Sequence, residues 1–226
     1  MKIKIIKDGP YFVSGKVKLS SEKIVEDSEG YLLKWEKISD YPKHETHSLC
    51  RCGETKNASF CDGSHKRTSC NLAETADNAS FKSKAEKIEG DELILSDVPE
   101  LCASGHFCTR AGGIWELTET RSADPKGKKI AIDEAGNCPS GRLVIVDKKT
   151  NKEIEPDFKP SVSVVEDEIA GVSGPLWVKG KIQIEGSDGT LYELRNRIAL
   201  CRCGQSSNKP FCDSSHITSK FKDSPS

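Results

Sequence analysis

Two groups of potential metal ligands recur in this sequence at identical spacing. In each group a Cys-x-Cys pair is followed, after eight intervening residues, by a third cysteine and then, after three more, by a histidine. The two groups are Cys50, Cys52, Cys61 and His65, and Cys201, Cys203, Cys212 and His216. Three thiolates and one imidazole suit either zinc or an iron-sulfur cluster. Two chance copies of such a pattern are improbable, so we predict two metal sites rather than eight ordinary core residues.

The spacing also indicates how the chain would bring these donors together. In an extended segment the two cysteines of Cys-x-Cys point to the same side. Cys61 and His65 are four residues apart, which places them on one face of a helical turn that Asp62 could cap. Zinc stays open as an alternative, although structural zinc sites more often use Cys-x2-4-Cys.

The repeat extends upstream of the cysteines, where the segment 9–17 matches the segment 174–182. Both segments alternate apolar and polar residues, and an apolar run follows each of them, at 31–35 and at 191–194. This pattern predicts strands that lead into the cysteine loop. Each copy is therefore a module of about sixty residues, and the chain consists of module, insert and module.

We divide the chain into an N-terminal module with its linker (1–90), an insert (91–160) and a C-terminal module (161–226). The polar stretch 66–91 predicts a loose connection. In the insert, Pro99 is expected to open a short helix that holds Cys102. Asp124-Pro125 is expected to begin a longer helix that ends near Gly136. The segments 114–118 and 143–146 are predicted strands, and the three tryptophans, in strand-like runs, are expected to pack in cores.

Composition narrows the functional class. The chain has 226 residues, with 34 Lys and Arg against 35 Asp and Glu, which gives a net charge of −1. That balance argues against binding to nucleic acid or to an anionic membrane surface. No apolar run approaches 18 residues, and charges interrupt the first eight residues, unlike a signal peptide. We expect a soluble, cytoplasmic protein whose ten cysteines serve metal or redox sites rather than disulfides.

The motif Cys-x-Cys-x8-Cys-Asp-Gly-Ser-His at residues 50–65 resembles the CDGSH iron-sulfur family of mitoNEET type. The resemblance implies that each four-ligand group holds a 2Fe-2S cluster, and that the two modules exchange strands, here as a pseudo-dimer within one chain. Two positions depart from the repeat: Ser214 stands where the first copy has Gly63, and Ser59 where the second has Pro210. The departures predict loops that differ in rigidity or cluster lifetime.

The insert contains three further cysteines, Cys102, Cys108 and Cys138, and the last of them precedes a proline. Bacterial ferredoxins use Cys-x2-Cys-x2-Cys with a distant Cys-Pro, and here Gly105 occupies the middle position. The segment resembles a single-cluster ferredoxin of the three-iron type and the divergent mono-cluster segment found beside CDGSH motifs. The resemblance implies a 3Fe-4S cluster, or a 4Fe-4S cluster if His106 or an outside ligand fills the fourth corner.

Simpler roles stay open for several of these residues. Cys102 and Cys138 could be ordinary buried thiols, because free cysteine is often buried. His106 could be a hydrogen-bonded surface histidine rather than a ligand. Cys70 stands alone in the polar linker, and we interpret it as incidental.

These observations predict a strand-rich α+β protein with a small ferredoxin-like insert. The sequence contains no Gly-rich phosphate loop, no catalytic triad signature and no pair of carboxylates within a recognisable catalytic motif. We therefore expect an electron carrier or redox sensor rather than a catalyst, with an unidentified redox partner protein and a monomeric chain. Two other functions stay open, namely cluster storage and delivery after protonation of a ligand histidine, and a zinc-stabilised interaction module.

Overall fold

The computed structural model describes residues 1–223. Over that range the chain forms thirteen strands: β1 Lys2–Ile5, β2 Tyr11–Ser14, β3 Lys18–Glu26, β4 Leu32–Asp40, β5 Thr46–Leu49, β6 Glu86–Glu89, β7 Leu93–Asp97, β8 Leu143–Asp147, β9 Lys152–Ile154, β10 Ser161–Asp167, β11 Val172–Lys179, β12 Gln183–Glu185 and β13 Arg197–Leu200. It also forms four α-helices: α1 Phe81–Lys84, α2 Ile114–Arg121, α3 Pro125–Asn137 and α4 Ser215–Thr218. Short 3-10 helices span Ser64–Lys66, Pro99–Leu101 and Phe107–Gly112. The expectation of a strand-rich α+β protein is confirmed.

Two of the sheets combine strands from both cysteine modules. One has the order β12-β1-β2-β5, and the other has the order β13-β11-β10-β3-β4. Strand β12, from the C-terminal module, pairs in parallel with β1, and β3, from the N-terminal module, pairs in parallel with β10. The C-terminal module therefore contributes β12 to the first sheet, and the N-terminal module contributes β3 and β4 to the second.

Alternating side chains build the core between these two sheets. In β1, Ile3 and Ile5 are fully buried while Lys2 and Lys4 reach outward to Glu185. The buried set continues through β2, β3, β10 and β11 as one apolar cluster. Burial of each such aliphatic side chain contributes about 1.5–3 kcal/mol, so the shared core is a major reason why the modules stay together.

The insert forms an antiparallel sheet of its own, β6-β7-β8-β9, with α2 and α3 packed against it. Helix α3 begins as predicted, because the Asp124 carboxylate accepts hydrogen bonds from the backbone N–H groups of Lys126 and Gly127. The predicted strand at 143–146 lies within β8, and the short helix after Pro99 places Cys102 at its C-terminal end.

Three local predictions were wrong. The segment 114–118 is the start of α2, because Ile114 and Leu117, three residues apart, are both buried on one helical face. The run 191–194 makes only an isolated bridge from Leu191 to Glu185, and both of its leucines are exposed. The linker at 66–91 contains α1 and β6 rather than a loose connection throughout.

The tryptophans follow the core prediction only in part. Trp177 is buried in β11, and Trp35, in β4, stacks between Trp177 and Phe107 of the insert. Trp115 lies on α2 rather than on a strand, where its indole N–H donates to Asp97. In residues 1–223 no helix has the length and apolar character needed to cross a membrane.

Candidate metal centres

The first four predicted ligands lie on a single loop after β5. Cys50 follows the last residue of the strand, and its N–H donates to the Ser59 carbonyl oxygen. Its sulfur is 3.4 Å from that of Cys52. The Cys61 sulfur is 3.4 Å from Nδ1 of His65, which stands on the 3-10 turn. The four donors therefore lie in two pairs, as the spacing predicts.

The second group repeats this arrangement after β13. The N–H of Cys201 donates to the Pro210 carbonyl oxygen, and its sulfur is 3.7 Å from that of Cys203. The Cys212 sulfur is 3.4 Å from Nδ1 of His216, in α4. The same residue types at the same spacing thus produce the same local structure twice.

An aspartate fixes the histidine turn in each loop. Asp62 accepts from the N–H and hydroxyl of Ser64 and from the N–H of Lys56. These hydrogen bonds, above all the one from Lys56, hold the pKa of Asp62 well below its usual range. Asp213 makes the equivalent contacts, and although burial raises its pKa, hydrogen bonds from Ser215 and Ser207 lower it to about 2. Asp62 is not the N-cap residue of the 3-10 turn, because that position is occupied by the next residue, Gly63.

The two sites differ in burial. His216 is 3% exposed and Cys212 is buried, whereas His65 and Cys61 are both half-exposed. Burial lowers the pKa of His216 to about 4, so its ring is held as the neutral imidazole that a metal requires. The Cys-His pair of the C-terminal site is therefore interior and that of the N-terminal site is partly open to solvent, whereas the Cys-x-Cys pairs are buried in both sites.

The donor chemistry of both sites fits an iron-sulfur cluster. All ten cysteines are free thiols. Within residues 1–223, no three His, Cys, Asp or Glu side chains are close enough to hold one metal ion, and the donors instead lie in pairs. A two-iron cluster takes two protein ligands on each iron, which such pairs can supply. Burial raises the pKa of Cys61 and Cys212, so binding of the metal group must release their protons.

The two Cys-x-Cys-Gly loops contact each other reciprocally. A Cβ added to Gly53 would stand 2.9 Å from the carbonyl carbon of Cys203, and one added to Gly204 would stand 2.8 Å from that of Cys52. Tyr11 adds a further contact, because its hydroxyl donates to the carbonyl oxygens of Cys201, at 2.9 Å, and Pro210. The backbones of the two sites are thus in direct van der Waals contact.

The three cysteines of the insert meet at one small cavity. Cys102, Cys108 and Cys138 line it together with the loop 103–107, Pro139 and Arg142. Burial, followed by the charges of Cys138 and Cys102, raises the pKa of Cys108 to about 11. His106 lines the same cavity but is exposed and has a left-handed backbone, with a φ of 52°. The three cysteines therefore lie around one cavity, and His106 lies at the exposed edge of that cavity.

A guanidinium stands beside this cavity. Arg142 donates from Nε to Asp97 Oδ1 at 2.5 Å and from Nη2 to Asp97 Oδ2 at 2.8 Å. The ring of Trp115 lies against the same guanidinium, 5.7 Å from its central carbon. Because Asp97 is the main cause and Cys102 a further cause of the raised pKa of Arg142, the positive charge is fixed next to the sulfurs. Such a charge favours thiolates and an anionic cluster.

Three regions of the chain match protein-family models. The model of the iron-binding zinc finger of CDGSH type matches residues 8–66 and 173–217, and the divergent 4Fe-4S mono-cluster model matches residues 88–148. These matches support an iron-sulfur protein that has two CDGSH-type regions with a mono-cluster segment between them. No curated protein and no solved structure gave a significant match.

Both departures between the two CDGSH regions have a structural reason. Ser59, with a φ of 67°, accepts a hydrogen bond from Arg202 and donates through its N–H and hydroxyl to Asp223. Ser214 and Gly63 both have a left-handed backbone, with φ values of 73° and 83°. The Ser214 hydroxyl donates to the Cys102 carbonyl oxygen at 2.6 Å. Each serine thus makes a contact that a residue without a hydroxyl could not make.

Cys70 is closer to the first CDGSH site than its place in the linker predicts. It packs with Leu72 against Cys50 and Cys52. The residue at the same distance after His216 is Phe221, which packs against Cys201 and Cys203. A comparison of the two repeats beyond the histidine would have found this position, because both copies use it to cover the Cys-x-Cys pair.

Proposed function

We propose that this protein is an electron carrier or redox sensor, with two 2Fe-2S clusters in the CDGSH regions and a 3Fe-4S or 4Fe-4S cluster in the insert. When bound, such clusters supply one-electron redox chemistry at potentials set by ligand type, hydrogen bonding and burial. The observation that carries the proposal is that the ligand loop of the C-terminal site contacts the loops of both other sites, the N-terminal one through Gly53 and Gly204 and the insert through Ser214.

We assign eight ligands to the CDGSH clusters, namely Cys50, Cys52, Cys61, His65, Cys201, Cys203, Cys212 and His216. The paired donors described above support this assignment. Cys102, Cys108 and Cys138 would hold the cluster of the insert, and the shared cavity supports it. His106, at the rim of that cavity, is the chain's candidate for a fourth corner.

We infer an internal pseudo-dimer of the modules 1–90 and 161–226 around the insert 91–160. The exchange of β3 and β12 between the two sheets supports it, as do the reciprocal glycine contacts. Because one chain contains both modules, a monomer would need no second copy to complete either CDGSH site. We expect a cytoplasmic protein that exchanges electrons with a redox partner protein and binds neither nucleic acid nor membranes.

Iron and acid-labile sulfide analysis with EPR on anaerobically purified protein tests the proposal. We expect seven or eight iron atoms per chain if all three clusters assemble, with a paramagnetic oxidised signal only if the insert holds three irons. Reversible reduction with full retention of iron supports electron transfer. Zinc without sulfide, or irreversible loss of iron on reduction, would refute the proposal.

Cluster storage and delivery is the second candidate, and one observation favours it. Cys61 and His65 of the N-terminal site are half-exposed, whereas Cys212 and His216 are buried, so an acceptor protein could reach the first site directly. Incubation with an apo-ferredoxin, followed by separation and iron analysis, tests delivery. Selective transfer of the N-terminal cluster would support this function over electron transfer.

A further inference from the structure

The insert is joined to the two CDGSH regions in different ways. The C-terminal region donates hydrogen bonds to the backbone of two predicted insert ligands: Ser214 Oγ to the Cys102 carbonyl at 2.6 Å, and Arg197 Nη1 to the Cys138 carbonyl at 3.0 Å. Ala103, the residue after Cys102, packs against Cys212. The ligand loops of these two sites are therefore bonded and packed together.

The N-terminal site has no comparable connection. Of the hydrogen bonds made by the described residues, none joins the loop 50–65 to the insert. Its region reaches the insert through Trp35 of β4, which stacks on Phe107 and donates to the Asn137 carbonyl oxygen. The N-terminal ligand loop instead contacts the C-terminal one, through Gly53 and Gly204.

The serine at position 214 is the residue that makes the junction. In the first region the equivalent residue is Gly63, which suits a left-handed turn without cost. A serine in that conformation is strained, and its hydrogen bond to the Cys102 carbonyl oxygen offsets the strain. A small cavity lies between the two sites. Ser104, Gly105 and Pro139 of the insert line it on one side, and His216 lines it on the other.

From this asymmetry we infer that the C-terminal CDGSH site is the middle member of a relay in the order insert, C-terminal site, N-terminal site, and that Ser214 is the positioning residue of its junction with the insert. The inference rests on the proposed function. In each exchange one electron leaves one site and reaches the next, and no bond of the protein is made or broken. The outer electron donor or acceptor is the redox partner protein, and the half-exposed N-terminal site is the end that it would meet.

Three full-length variants test the order: Cys61→Ser removes a ligand of the N-terminal site, Cys212→Ser one of the C-terminal site and Cys108→Ser one of the insert. Iron and sulfide content first establishes which clusters are present. EPR of the reduced protein then measures magnetic interaction between clusters. We expect the magnetic interaction with the insert cluster to persist in Cys61→Ser and to be lost in Cys212→Ser. Cys108→Ser, which lacks the insert cluster, shows what the spectrum looks like without this interaction.

Interaction that survives in Cys212→Ser, or that is absent from fully loaded wild-type protein, would overturn the order while leaving the proposed function intact. Failure of wild-type protein to bind iron and sulfide would instead refute the proposed function. The two failures are therefore distinguishable in one set of samples.

Ser214→Gly and Ser214→Ala test the junction. Both remove the hydroxyl, but glycine relieves the left-handed strain and alanine keeps it, so an effect of strain would separate the two variants. We expect both to retain iron and to slow electron exchange between the insert and the C-terminal site in flash-reduction kinetics. Gly30→Ser, which adds a hydroxyl to open space at another left-handed position outside the ligand loops, is the matched control and should leave the exchange unchanged. Wild-type exchange rates in both Ser214 variants would overturn the role of this residue.

Discussion

Gly53 lies against the backbone of Cys203, so close that a Cβ at Gly53 would stand 2.9 Å from the Cys203 carbonyl carbon. Gly204 has the same relationship to Cys52. Both glycines have positive φ values, 77° and 76°. The glycine, the fourth residue of each Cys-x-Cys-Gly loop, is therefore constrained both by its conformation and by the partner loop.

Gly53→Ala should destabilise the protein by more than backbone strain alone. A left-handed alanine costs about 1–2 kcal/mol, and the clash with the Cys203 backbone adds to it because no flexible side chain can move aside. We expect a loss of several kcal/mol in the free energy of unfolding, together with reduced iron content in both CDGSH sites. Chemical denaturation and iron analysis measure the two effects.

Gly30→Ala is the matched control for this substitution. Gly30 has a φ of 83°, and nothing lies within 4 Å of the added Cβ. Its variant should lose only the 1–2 kcal/mol of strain and keep its iron. Equal effects at Gly30 and Gly53 would contradict a steric role for the contact between the loops.

The sequence predicted the local parts of this protein better than their assembly. The donors of each CDGSH loop lie in the two pairs that the spacing predicts, because the donors, the aspartate that bonds to the turn and the turn itself are within sixteen residues, 50–65 in the first loop. The helix at α3 was also predictable from the Asp124 cap. The prediction of a strand at 114–118 was wrong, because five residues are too few to distinguish a strand from the start of a helix.

Contacts between distant segments were outside the reach of sequence patterns. The hydrogen bond of Ser214 joins residues 112 positions apart, and the departure from glycine was visible in the sequence only as a difference between repeats. The position of Cys70 was missed for a different reason, because the two repeats were not compared beyond the histidine, where Cys70 and Phe221 occupy equivalent positions. Loop-to-loop packing depends on how the two sheets exchange strands, which no local periodicity encodes.

Stability should fall as the pH rises through neutrality because of Glu134. Its side chain is fully buried in α3, one carboxylate oxygen accepts from the Arg110 N–H at 2.6 Å, and the other has no partner in residues 1–223. Burial raises the pKa of Glu134 to about 7 from the usual 4.5. Between pH 4.5 and pH 7 the folded state therefore keeps a proton that the unfolded state has released. The stability that this proton contributes is fully present below pH 4.5 and is lost as the pH rises through 7.

Glu134→Gln removes this titration and should gain stability relative to wild type by up to about 3 kcal/mol between pH 5 and pH 8. Denaturant unfolding at the two pH values, followed by circular dichroism, gives the difference. Glu119→Gln, on the exposed face of α2, should show no such change. A pH-independent difference between wild type and Glu134→Gln would mean that Glu134 ionises normally in the folded protein.

Replacement of each candidate histidine ligand by cysteine should lower the reduction potential of one cluster. A fourth thiolate makes the cluster more negative, and imidazole ligands raise the potential. We expect His216→Cys and His65→Cys each to lower one midpoint by on the order of 100 mV, a fraction of the span between Rieske and plant-type clusters. EPR-monitored redox titration separates the sites, and unchanged potentials would argue against ligation by these histidines.

Arg197 should be essential for holding the insert on the C-terminal region. Its side chain is 1% exposed, pairs with Glu155 and donates to the carbonyl oxygens of Cys138 and Leu143, each at 3.0 Å. Arg197→Met removes the cation that pairs with Glu155 and leaves that carboxylate with the Asn196 amide alone, and breaking a buried pair in this way costs about 3–5 kcal/mol. Lys37→Met, which breaks the exposed pair with Asp40, should cost less than about 1 kcal/mol. Limited proteolysis and denaturation should therefore release the insert first in Arg197→Met, and equal stability of the two variants would show that Arg197 does not hold it.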